Sequence, residues 1–202
     1  MKFPRLSLAI VTFLLVSNVY AVMPNYMPGE YKIDPDHTRV EFTIPHFVIS
    51  EVEGRFNNVE GNFVLEKNFT LSKVDASVLT NSIDTASAKR DEHLKSKDFF
   101  DAPTFPTITL KGKSFSGKPS AFTLVAEVTI KDVTKDVTFK GKYTGGIKDP
   151  TGNERVALNM SAKINRKDFH INYNEKIDIG PAVGDEVTIV VRTEGIKTGE
   201  VK

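Results

Sequence analysis

The chain of 202 residues has no cysteine, no tryptophan and only four histidines. Without cysteine the fold must hold through its core rather than through disulfides, and neither a thiolate metal site nor a lipid-attachment cysteine is available. The histidines, His37, His46, His93 and His170, are scattered and form no HExxH pattern, so a dedicated zinc site has little support. No GxSxG nucleophile elbow occurs, and the dispersed Ser, His and Asp residues have no spacing that fixes a triad. The expectation is a protein that is not an enzyme and needs no metal or cofactor.

Excess charge of one sign is missing too. The formal net charge of +1 becomes −1 once Lys2 and Arg5 are removed with the N-terminal segment. No electrostatic footprint for nucleic acid remains. Long apolar runs are equally scarce. The one present, Leu6 to Val19, follows Lys2 and Arg5 and ends in Val19-Tyr20-Ala21, the pattern of a cleavable export signal. Residues 1–21 are read as that signal, with a mature chain starting at Val22 and a periplasmic destination. An N-terminal anchor is the competing reading, although the run is short for a spanning helix. No second stretch of spanning length exists, so integral insertion through helices is not expected. Nor is an outer-membrane barrel: the strand faces opposite the apolar ones are rich in Lys, Asp, Glu and Thr, and no tryptophan is available for an interfacial girdle.

What is abundant is period-two alternation. Phe122, Leu124, Ala126, Val128 and Ile130 share one face of an extended segment. Val137, Phe139, Gly141 and Tyr143 repeat the parity, as do Val156 to Ile164 and Val187 to Val191, and earlier Val40 to Ile44, Phe63 and Leu65, and Val74 to Val78. About eight strands are predicted. Asn57-Asn58, Gly117-Lys118-Pro119 and Asp149 to Asn153 punctuate them, and connections this short imply antiparallel neighbours. One short helix is predicted over Ala86 to Leu94, capped by Asp84 or Thr85, with Asp91 four residues before Lys95. Phe99, Phe100, Pro103 and Pro106 then return the chain to extended form. With so little helix to cover an apolar sheet face, residues 22–202 are expected to form one domain, an all-β closed antiparallel barrel with a helical excursion around Ala86 to Phe100.

The segment RDEHLKSKDFFDAPTFPTITL, from Arg90 to Leu110, resembles the signature region of the YceI-like family of small periplasmic lipid-binding proteins. The opening YKIDPDHTRVEFTIPHFVISEVEGRF agrees through Asp34, His37, Thr38, Phe42, His46, Gly54 and Phe56, as do LVAEVTIKDVTKDVTFKG and NRKDFHI. Three positions depart from the family pattern: Asp132 replaces a usual turn glycine, Asp136 a common proline, and His170 a glycine after Phe169. The resemblance implies a lipocalin-like barrel holding a long amphiphilic lipid, such as a polyisoprenoid, a prenylated quinone or a fatty amide. Formation of a homodimer is an expectation that rests on the resemblance alone.

For such a ligand, the candidate channel residues are Leu94, Phe99, Phe100, Tyr143 and Phe169. His37, Arg90 and Arg166 are candidates for its polar head, because a guanidinium offers several donors to a phosphate or carbonyl oxygen. Each has a plain structural reading beside it: core packing for the aromatics, a turn network for His37, an ion pair for the arginines. A barrel filled by its own side chains, serving only as an interaction module of the cell envelope, is the competing function; fourteen phenylalanines are enough to fill one.

Overall fold

The computed structural model describes residues 25–177 and 180–201, so the segment 1–21 read as an export signal lies outside the described residues. Strands β1 (Gly29–Ile33), β2 (Arg39–His46), β3 (Ser50–Phe56), β4 (Val59–Leu65), β5 (Leu71–Leu79) and β6 (Ile83–Asp84) precede helix α1 (Ala88–Lys95). After it come β7 (Thr107–Lys118), β8 (Ala121–Ile130), β9 (Val133–Lys148), β10 (Glu154–Asn165), the short pair β11 (Lys176–Ile177) and β12 (Gly180–Pro181), and β13 (Glu186–Gly199). Every pairing is antiparallel, in the order β1-β4-β5-β7-β8-β9-β10-β13, and β13 returns to β1. That ring of eight is the closed barrel the alternation predicts, and closure removes its edges.

The ring is complete only toward one end. Along β13, Gly195 to Gly199 pair with β1 while Thr188 to Arg192 pair with β2, so β1 and β2 are successive halves of one broken strand. The break is written in the sequence: Pro35 has no N–H to give a ladder, and the Asp34 carboxylate accepts from the Asp36 N–H at 3.0 Å, closing a tight turn. β3 and β4 are likewise two halves, β3 beside β2 and β4 beside β1. Asn57-Asn58 therefore joins collinear halves and is not a hairpin, a correction to the short-connection expectation. The turn's backbone groups bond instead to the next break: the Asn57 N–H donates to Ser82 O, and Asn58 O accepts from the Leu79 N–H. Above this level β6 pairs with β3 alone. The segment from Thr85 to Pro106, including α1, follows β6 and leads into β7.

The helix starts two residues later than predicted, and Asp91 has a different task. Its Oδ1 reaches back to accept from the Thr85 N–H at 2.9 Å and the Thr85 hydroxyl at 2.6 Å, while Lys95 pairs with Glu92. A carboxylate bonding back to the residues before the helix satisfies donors that no helical carbonyl can reach.

Strand parity is as predicted: Phe122, Leu124, Ala126, Val128 and Ile130 are all buried, as are Phe139, Leu158 and Val156, while Met160 and Val191 are half-buried. Two glycines are required by neighbouring rings. A Cβ on Gly54 would lie 2.3 Å from Phe42 Cζ, and one on Gly141 2.6 Å from Phe122 Cζ. Each phenylalanine crosses onto its paired strand, so a side chain larger than hydrogen has no room.

Two of the three departures from the family pattern touch each other. His170 has φ 57° and ψ 28°, a left-handed conformation that explains a usual glycine there, and its Nδ1 lies 3.2 Å from Asp132 Oδ1. Asp136 pairs with Lys113 on the surface.

Candidate functional site

The two ends of the barrel interior differ. At the closed end Tyr143, Tyr26, Phe69, Phe115 and Phe122 pack edge to face or tilted, and Tyr31 stacks on Phe63. Above Phe63, Phe139 and Leu158 the side chains leave a cavity of about 500 Å³, inside the size range of small-molecule sites. Its wall is almost wholly apolar, from buried Leu158 and Phe139 to half-buried Val40, Ala76 and Met160. Exposed Arg90 and Phe47 also border it, so it opens to the surface.

Three pieces frame that opening: the β2–β3 hairpin tip, α1 with Phe99 and Phe100, and the strap from Ile171 to Asp185 that carries β11 and β12. Hydrogen bonds and aromatic contacts join them. The Phe47 N–H donates to Ala182 O and the Gly184 N–H to Pro45 O, both at 2.9 Å. On the other side Tyr173 of the strap packs against His93 and Phe99, with ring centroids 4.8 and 5.0 Å away.

Of the candidate residues, Arg90, Leu94, Phe99, Phe100, Arg166 and Phe169 border the cavity. Arg90 spends two donors on Thr85, Nε to its hydroxyl and Nη2 to its carbonyl, both 2.7 Å. Its Nη1 has no hydrogen-bond partner among the described residues, which leaves part of an anchored guanidinium free at the mouth. Arg166 is built differently. It is 3 % exposed and donates to the carbonyls of Gly184, Ile171, Tyr173 and Val183 and to the Asp185 carboxylate. Burial draws its pKa down, and Asp185 opposes this. Its fork is spent on fastening the strap, so little of it remains for a ligand head.

Tyr143 and His37 lie away from the cavity. Tyr143 faces inward, but in the aromatic cluster at the closed end, where it donates to Asn25 O at 2.7 Å and burial pushes its pKa up to about 12. Strand parity cannot reveal that height. His37 is exposed, its Nδ1 2.9 Å from Asp34 Oδ2 in the turn between β1 and β2. The turn-network reading of His37 therefore has the geometry, and a ligand contact does not.

Asp34, His37 and Glu194 bring possible metal-ligand atoms within 4.8 Å of one another. The Arg155 guanidinium already occupies the charge role there: Nη1 is 2.5 Å from Asp34 and 3.4 Å from Glu194, while Nε bonds Asp149 at 2.8 Å. A fixed cation among these oxygens opposes a second one. Burial would raise the Asp34 pKa, but the bonds from Arg155, His37 and the Asp36 N–H outweigh it and hold the carboxyl below 3.8. Arg155, joined by Thr151, holds Asp149 further below. Both folded-state values lie under the unfolded ones, so this stabilisation is complete above pH 3.8 and drains away as pH falls through the folded values. Arg155→Gln is accordingly expected to lower the urea midpoint at pH 7, with the gap to wild type narrowing at pH 3. An equal gap at both values, followed by circular dichroism, would deny the linkage.

A model of the YceI-like domain matches residues 31–195. A UPF0312 protein of Yersinia enterocolitica is 38 % identical over 172 residues, covering 84 % of this chain and 87 % of that protein. The crystal structure of the Campylobacter jejuni YCEI protein superposes with a TM-score of 0.67 at 24 % identity, over 76 % of this chain and 90 % of that one. A polyisoprenoid-binding domain from Saccharophagus degradans, implicated in plant cell wall breakdown, gives 0.61 at 10 % identity, over 83 % and 98 %. These two likenesses carry the barrel and nothing finer. With the family match running from within β1 to within β13 and taking in the six ring strands between them, the chain belongs to the YceI-like family.

Proposed function

We propose that this protein is a periplasmic carrier of a long amphiphilic lipid, a polyisoprenoid, a prenylated quinone or a fatty amide, with the tail in the cavity and the head beside Arg90. The observation that carries the reading is the division of the interior: aromatics fill one end, and an apolar cavity of about 500 Å³ opens past a half-committed guanidinium at the other. Burying apolar ligand surface supplies about 25 cal/mol per Å², and polar contacts at the mouth set orientation. The polyisoprenoid-binding domain that shares the fold supports this ligand class, and the Met1 to Ala21 export pattern supports the compartment. No step in holding such a ligand calls for a catalytic group.

The test is native mass spectrometry with organic extraction of protein purified from its own envelope. One hydrophobic passenger per chain is expected. A chain that carries none, and takes up neither a prenyl alcohol nor a prenyl phosphate added to it, leaves only the interaction-barrel reading. Arg90→Ala should weaken prenyl phosphate binding about tenfold, as loss of a charged hydrogen bond does, while leaving the headless hydrocarbon unaffected. Equal losses for both would take Arg90 out of the site.

A further inference from the structure

The β2–β3 hairpin ends in three consecutive exposed apolar residues: Phe47 is 38 % exposed, Val48 65 % and Ile49 81 %. Such a tip is unusual on two counts. The turn, closed by the Ile49 N–H on His46 O, holds Phe47 at φ 50° and Val48 at φ 63°. Hairpin turns with both central residues left-handed normally use Asn-Gly, and a β-branched residue is among the worst choices for that conformation. The fold thus accepts backbone strain as well as exposed hydrocarbon at one point. Phe47 also borders the cavity, so the tip is continuous with the apolar interior.

We propose that Phe47-Val48-Ile49 dips into the surface of a lipid bilayer and sets the cavity mouth against it, so that an apolar passenger passes between bilayer and barrel without crossing water. A bilayer fits better than a protein partner. Three residues on a convex turn present far less than the roughly 800 Å² per partner of a stable protein interface. A few apolar side chains entering the boundary of the acyl region suffice, by contrast, for reversible membrane contact. The flanking His46, Ser50 and Glu51 form no cationic cluster, and the chain without residues 1–21 has net charge −1, so attraction to anionic headgroups plays no part. Docking itself stands on the tip; only its purpose rests on the carrier reading above.

The experiment is sedimentation of the protein with phosphatidylcholine vesicles, compared between wild type and Val48→Gly/Ile49→Ser. These two residues lie outside the cavity wall, and a glycine in place of Val48 relieves the left-handed strain, so thermal stability should hold or rise and passenger retention should be unchanged. Vesicle partition should fall at least tenfold, and wild-type partition should vary little between 50 and 500 mM salt. Phe47→Trp, the sole tryptophan of the chain, should show a blue-shifted emission on vesicle addition. Equal partition of wild type and variant, or no blue shift, overturns the proposal. So does a wild-type dimer that the variant converts to monomer without any vesicle binding, which would assign the tip to a second copy. Vesicle binding by a chain that carries no passenger and takes up neither prenyl alcohol nor prenyl phosphate would sink the carrier reading and leave docking standing.

Discussion

Arg166→Met is expected to destabilise the protein by about 3–5 kcal/mol, the range for removing one partner of a buried charged network. The side chain fits a similar volume, so the loss is of bonds rather than of packing. Five acceptors now converge on the guanidinium, four of them backbone carbonyls of the strap. Methionine takes the side-chain donor from the Gly184, Ile171 and Tyr173 carbonyls and leaves Val183 O with the Asn174 amide alone, in a place where water replaces the guanidinium poorly. Since whole-domain stabilities are about 5–15 kcal/mol, a large share of the margin is at stake. Arg166→Lys should recover little: an ammonium has three donors on one atom and cannot reach both arms of the strap. Urea unfolding measures the loss, and hydrogen exchange shows where it acts. Amides of Ile171, Ala182 and Val183, which bond Arg166 O, Glu175 O and Asn174 Oδ1, should lose protection before those of β8 and β9. A variant with unchanged stability and weakened prenyl phosphate binding would return Arg166 to the ligand.

Why the sequence could show that Arg166 mattered but not how follows from the nature of its partners. Its acceptors are main-chain carbonyls 5 to 18 positions away, and a carbonyl carries no mark in a sequence. Alternation, by contrast, is a property of the residues themselves, which is why the inward faces of β8, β9 and β10 were legible. Parity divides inside from outside but has no coordinate along the barrel axis. Tyr143 and Phe139, on one face of β9, therefore look equivalent as inward aromatics, although one seals the closed end and the other borders the cavity. The bulge that pairs Ala157 with Gly145 but Leu158 with Tyr143 shifts that height further and has no strong residue signature. The hairpin tip did leave a trace: Phe47-Val48-Ile49 interrupts the alternation between β2 and β3 where a turn residue is due.

Filling the cavity should abolish passenger binding while leaving the barrel intact. Ala76 on β5 and Val191 on β13 pack against the core, yet both border the cavity and are only half-buried, so a phenylalanine at each has free volume to enter. Overpacking costs of about 1–3 kcal/mol apply where a core is already full, which describes the Tyr143 and Phe69 end and not this one. Ala76→Phe/Val191→Phe is thus expected to keep or raise the unfolding temperature, because new apolar surface is buried. The same two rings take space from a cavity of about 500 Å³ and block the depth a long tail requires. Affinity for a prenyl probe should drop at least a hundredfold, and organic extraction of the purified variant should yield no passenger. Isothermal titration with the prenyl alcohol and a thermal melt separate the outcomes. Lost binding with a preserved melt identifies the cavity as the binding site. Undiminished binding by a well-folded variant would show that the passenger sits elsewhere, and with it the division of the barrel into a sealed end and a receiving end would lose its functional meaning.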